Sequence, residues 1–135
     1  MLKRTGEYRE RLKTGGELVV TATEWKIAYY FSGPDLRYSG TFFNISSHDI
    51  DKYIDAWKQN FDKYLTLKNS ELANNVLTMN GVAGMSIWIG GIAEGVCLRS
   101  YHMPIASLEK LQAVISDYNY AKGRAVTVMS MLGNL

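Results

Sequence analysis

Residues 46–68 read SSHDIDKYIDAWKQNFDKYLTLK, and their spacing decides what the rest of the chain must build. Ile50, Tyr53, Ile54, Trp57, Phe61, Tyr64 and Leu65 recur at three- and four-residue steps. That places them on one stripe of a helix with 3.6 residues per turn. Ser46, followed three residues later by Asp49, reads as a capping box that opens the helix. A stripe this rich in aromatics needs an apolar surface to cover. The segments on both sides carry the period of two that a sheet would supply.

Upstream, after Gly15-Gly16, residues 17–22 set Leu18, Val20 and Ala22 on one face of a half-buried strand. Trp25, Ile27, Tyr29 and Phe31 keep that period in a second strand. Gly33-Pro34-Asp35 then makes a turn, because proline presets the first central dihedral and aspartate tolerates the second. A third strand, about residues 36–45, runs into the helix. Downstream, residues 72–79 read as a fourth strand. Asn80-Gly81 reads as a type I′ hairpin turn with positive φ at both residues. Met85, Ile87 and Ile89 alternate in a fifth strand, Gly90-Gly91 and Gly95 bracket a turn, and residues 96–103 form a sixth that Pro104 stops. Ser107 caps a second helix with Leu108, Leu111, Val114, Ile115, Tyr118, Ala121, Ala125, Met129 and Leu132 on its stripe, softened midway by Gly123.

The order is β-β-β-α-β-β-β-α. The expected fold is a single α+β domain over residues 1–135, with an antiparallel sheet of about five or six strands and two main helices packed on one face. Residues 1–14 are a basic segment, either a short helix or an arm. A chain of 135 residues, 47% hydrophobic and 21% charged, is long enough and apolar enough to bury a core. Its net charge of +2 is uneven. Lys3, Arg4, Arg9, Arg11 and Lys13 outnumber Glu7 and Glu10 at the start, and the remaining body is close to neutral. A nucleic-acid binder carries its basic face on the folded body, so the sequence argues against that class except through the arm. The lone cysteine, Cys97, cannot form an internal disulfide. No stretch has the continuous apolar length of a membrane span, and the first residues lack the apolar core of a secretory signal. A soluble cytoplasmic protein is expected.

Chemistry-bearing motifs are few. His48 and His102 stand in no metal-ligand spacing, and neither a metal nor a cofactor is expected. Cys97 and His102 are five apart on one strand and so face opposite sides of the sheet. GGIAEG, residues 90–95, lies between strands with no helix after it, and reads as a loose hairpin rather than a dinucleotide fingerprint. Glu94, Arg99, Tyr101 and His102 gather around one strand, where they would bind an anion or do acid–base work. A solvated sheet face with a cross-strand ion pair accounts for them more simply. On the first helix Asp51, Asp55 and Asp62 share a face, with His48 and Lys58 nearby. Helix-start acids and i, i+4 pairing explain that face as a solvated one. It would equally serve as an acidic docking surface for a basic partner. Asp35 and Tyr38, beside the first hairpin, complete the candidate partner-binding set.

Two stretches carry a likeness to a known class. DIDKYIDAWKQNFDKYLTLK, residues 49–68, following TFFNIS, and EGVCLRSYHMPI, residues 94–105, leading into the second helix, together resemble small immunity proteins of bacterial toxin systems. These include the contact-dependent growth inhibition type. The resemblance spans about residue 16 to the end. It implies a protein that catalyses nothing and binds the C-terminal domain of a cognate toxin, often a nuclease. Partners of basic nucleases are often acidic, and a sequence pI near 8.6 departs from that pattern. The class of toxin is therefore open, as is homodimerisation through an exposed sheet edge.

Overall fold

The computed structural model describes residues 6–30, 41–91, 93–98 and 103–135, with 41 and 42 described in backbone only. The chain divides into two compact units, Met1–Ile50 with Ser116–Leu135, and Asp51–Ile115. Among the described residues the fold is α+β, with two helices and seven strands in two antiparallel sheets, in the order β-β-β-β-α-β-β-β-α.

The first unit holds β1 (Tyr8–Arg11), β2 (Glu17–Val20), β3 (Trp25–Tyr30) and β4 (Thr41–Ser46), paired in that order. Register sets Leu18 opposite Ile27, and Ile27 opposite Ile45, so one row of fully buried branched side chains crosses three strands. Tyr29 lies opposite Phe43 in the next row, with their rings stacked 6.5 Å apart. Val19 and Ala28 are buried as well, and Ala22 is exposed. The middle of this sheet is therefore covered on both faces, where alternation alone predicts one. The C-terminal part of α2 (Leu108–Gly133) belongs to the same unit and buries Tyr118, Ala121, Ala125 and Val128 at three- and four-residue steps.

The basic N-terminal segment is a strand rather than a helix or an arm. Tyr8 and Glu10 are half-buried while Arg9 and Arg11 are exposed. A period of two over four residues is too short to stand out among so many charges. Lys3 and Arg4, and the turn at residues 33–35, lie outside the described residues.

The second unit holds β5 (Leu77–Asn80), β6 (Ser86–Ile89) and β7 (Gly95–Cys97), again paired in order, and nearly all of α1 (Ile50–Lys68). Ile54, Trp57, Phe61 and Tyr64 of α1 are buried, as are Ile87, Ile89, Val96 and Cys97 of the sheet. Leu65, at the end of the predicted stripe, is exposed at 41%. Leu108, which starts the stripe of the second helix, is also exposed.

Three local readings change. The helix starts at Ile50, a turn later than the Ser46–Asp49 box implies, because Ser46 still belongs to β4. Its hydroxyl bonds the Asp49 carboxylate at 3.4 Å instead of a helix N–H. Residues 71–74 form a 3-10 turn capped by the Ser70 side chain, so the fourth predicted strand shortens to β5. Gly81 has an extended φ of −96, and the left-handed residues of that hairpin are Ala83 and Gly84, at φ 58 and 72. Gly81 is needed for space: a Cβ there would lie 2.4 Å from Asn60 Oδ1. Ser107 does cap α2, accepting the Lys110 N–H at 3.2 Å.

The seven strands form two sheets, of four and three, where the alternation pattern anticipates one sheet of five or six. Alternation records which face of a strand is buried and carries no address for its neighbour. Trp57 is the largest fully buried side chain of α1, at 0% exposure. Replacing it with alanine leaves a cavity and should cost about 3–5 kcal/mol. Urea unfolding followed by far-UV circular dichroism measures this, and an unchanged midpoint would remove Trp57 from the core.

Candidate partner-binding surface

Helix α1 presents two faces. Ile54, Trp57, Phe61 and Tyr64 fill the buried one, while Asp51, Asp55 and Asp62 are exposed. At 100° per residue those three carboxylates fall within about 40° of one another, and they run along about 16 Å of helix. Lys58 is exposed on the same flank. The stripe is thus a short acidic ridge with one cation in it, able to meet basic side chains across an interface. His48 is exposed in the turn that precedes α1. Asp35 and Tyr38, the other two residues of the predicted set, lie outside the described residues.

Glu94, from the alternative group, is held from three sides. Lys68 Nζ approaches its two carboxylate oxygens at 2.8 and 2.9 Å. Tyr64 donates its hydroxyl at 3.0 Å and the Gly90 N–H donates at 2.9 Å. The Lys68 bond, followed by the Gly90 N–H, pulls the Glu94 carboxyl down to about 2. Burial, reinforced by Glu94, pushes the Tyr64 hydroxyl up to about 12. A carboxylate so stabilised as an anion is poorly matched to proton transfer near neutrality. Its evident work is mechanical. It ties the turn after β6, where Gly90 and Gly91 have φ of 75 and 80, to the last turns of α1. Arg99, Tyr101 and His102 lie outside the described residues.

Cys97 is fully buried, and its Sγ donates to the Ala93 carbonyl at 3.7 Å. Burial pushes the thiol up to about 11, so it stays protonated at neutral pH and packs as a small hydrophobe. No group of three or more His, Cys, Asp and Glu among the described residues is disposed to hold a metal ion. No described helix is long and apolar enough to cross a membrane.

The structure adds a polar cluster in the first unit that the sequence reading passed over. Asp117 of α2 is 7% exposed and accepts both the N–H and the hydroxyl of Thr14, at 2.8 and 2.6 Å. Glu10 accepts from Tyr120 at 2.6 Å and from Tyr8 at 2.5 Å. Those two hydroxyls, Tyr120 first, hold Glu10 below the usual carboxylate range. Between them lies a cavity of about 330 Å³, bordered also by Arg11 and Lys13. Arg9, on the exposed side of β1, meets Glu17, Glu7 and Tyr30, and these bonds raise its pKa further. One of the basic groups of the N-terminal segment is therefore neutralised within its own sheet. Only Asp117 left a usable trace in the sequence, as an acid in the middle of an apolar helical stripe.

Comparison with protein-family models, with curated protein sequences and with solved structures finds no match.

The Glu94 tie predicts a pH dependence. Below the ordinary carboxylate value of 4.5 the unfolded chain takes up a proton on Glu94 that the folded chain refuses until about pH 2. Folding stability from this group is full above 4.5 and is lost as pH falls toward 2. Glu94→Gln should therefore lose less stability than the native chain over that interval, as read by urea unfolding at successive pH values. Parallel curves would show that the tie contributes nothing.

Proposed function

We propose that this chain is an immunity protein that binds a cognate bacterial toxin domain and neutralises it by direct contact. The observation that carries the reading is the exposed ridge of Asp51, Asp55 and Asp62, backed by a buried stripe that fixes the helix beneath it. A rigid helix with its charges already in place loses little freedom on docking, which is how pre-organised inhibitors gain affinity. The acids of the polar clusters described above serve the fold of their own units. Glu10, Glu17, Glu94 and Asp117 each accept bonds from neighbours inside their own unit. The likeness of residues 41–68 and 94–105 to toxin-immunity proteins supplies the class of partner. The toxin's C-terminal domain would bring a basic patch to the ridge, and inhibition follows from occluding an active site or an essential surface. The producing cell's cytoplasm is the compartment in which such a protein is needed.

Two measurements test this. A toxin gene adjacent to this one should encode a C-terminal domain that co-purifies with the chain. Reversing the ridge with Asp55→Lys and Asp62→Lys together should weaken that complex about 10- to 100-fold, mainly through the association rate. Because both sites are exposed, unfolding stability should shift by no more than about 0.5 kcal/mol. Unchanged affinity in the double variant, measured by surface plasmon resonance, would move the interface elsewhere.

A further inference from the structure

We infer that the free edge of β5 is a self-pairing surface, and that two copies of this chain associate there through antiparallel β5–β5 pairing about a two-fold axis. The inference is independent of toxin binding and concerns the opposite kind of surface, one without charge.

The three-stranded sheet runs β5-β6-β7, so among the described residues β5 and β7 are its edges. The β7 edge is closed by Ile105, whose N–H and carbonyl exchange bonds of 2.8 and 2.9 Å with Val96. Val96 therefore points its backbone groups away from β6. Its partner Ile87 must then point its own toward β5, because antiparallel pairs alternate between bonded and non-bonded. Ile87 lies opposite Met79, which makes Met79 and Leu77 the bonded positions of β5. The Gly81 N–H to Met85 carbonyl bond, 2.8 Å, gives the same parity from the other end of the hairpin. Thr78 and Asn80 consequently direct N–H and C=O outward, as does Val76 just before the strand. All three residues are exposed, and Val76 is 71% so.

Natural edges are usually blunted by charge, proline or a bulge. The edge strand β1, YRER, follows that rule. Strand β5 does not. From residue 72 to residue 93 the sequence contains no Asp, Glu, Lys, Arg, His or Pro, in a chain that is 21% charged. That absence selects the occupant. A two-fold antiparallel pair sets each strand against itself, so a charge near the axis would meet its own copy and repel it. An uncharged strand meets no such penalty, and it offers nothing to a charged partner segment. Centring the axis on Thr78 puts Thr78 opposite Thr78, a favourable cross-strand pair, and Val76 opposite Asn80. The outward backbone groups then pair in register, and each three-stranded sheet becomes half of a six-stranded one. Strands this short bury less than the roughly 1,200–2,000 Å² of a standard stable interface, so the dimer is a weak, concentration-dependent one.

Sedimentation equilibrium of the full chain up to millimolar concentration should show a reversible monomer–dimer equilibrium. Thr78→Pro removes an outward N–H while sparing the ladder to β6, so the fold should persist by circular dichroism. Dimerisation should weaken at least about tenfold. Thr78→Cys gives a second readout that needs no perturbation of the backbone. Bonded antiparallel neighbours sit about 5.5 Å apart at Cα, within disulfide reach. Buried Cys97 offers no competing thiol. Under mild oxidation Thr78→Cys should form a covalent dimer much faster than the exposed control Gln112→Cys. A wild-type chain that stays monomeric throughout, a dimer indifferent to Thr78→Pro, higher oligomers without a dimer, or equal cross-linking of the two cysteine variants would each overturn the inference.

Discussion

A polar group taken into the interior of this protein brings its hydrogen-bond partner with it, and much of the architecture follows from where those partners are. Among the described residues no buried side-chain nitrogen or oxygen lacks one. The buried hydroxyls of Tyr29 and Tyr118 share a bond of 2.7 Å. Burial, and then the neighbouring hydroxyl, push Tyr29 well above the usual phenol range. Leaving either hydroxyl unpaired would cost its desolvation, on the order of 1–3 kcal/mol, so the pair fixes how β3 and α2 face each other. Gly16 reflects the same packing. Its φ of +83 and the closeness of the Tyr29 ring leave no room for a side chain.

The two units repeat one device. In the first, α2 sends Asp117 to the turn between β1 and β2 and holds it through Thr14. In the second, α1 sends Asn60 to the loop between β5 and β6, donating to the Val82 carbonyl at 3.1 Å and accepting its N–H at 2.9 Å. Further along, Tyr64 and Lys68 reach Glu94 in the next turn. Each helix therefore buries an apolar stripe and pins the connecting loops with a few polar side chains set into or beside it. Loops tied in this way need not be short or ideal, which is why an alanine is accommodated at φ 58 within one of them.

These commitments place much of the polarity of the two units in the service of the fold. Glu10, Glu17, Asp117 and Glu94 each bond neighbours in their own unit. The outward flank of α1 keeps its carboxylates exposed, and β5 keeps an uncharged edge. The first is the surface on which we propose that a basic partner docks, and the second the edge proposed to pair with its own copy. Both lie outside the packed interior.

The two helices, the faces they bury and the positions of most strands can be read along the chain, because each is written in a local period. Trp57 and Tyr118 were legible as core from spacing alone. The charged strand β1 was not, since four residues give a period of two too little length to show. Asn80-Gly81 misled for a related reason, because that glycine answers to a side chain twenty-odd positions away rather than to its own dihedrals. Tertiary structure alone decided that the strands divide into two sheets and that Asp117, Asn60 and Glu94 serve as ties. Thr14 and Asp117 are 103 positions apart, and Tyr29 and Tyr118 are 89 apart. Periodicity is a property of neighbours in the chain, while a buried hydrogen bond is a property of neighbours in space, and only folding makes the second kind from the first.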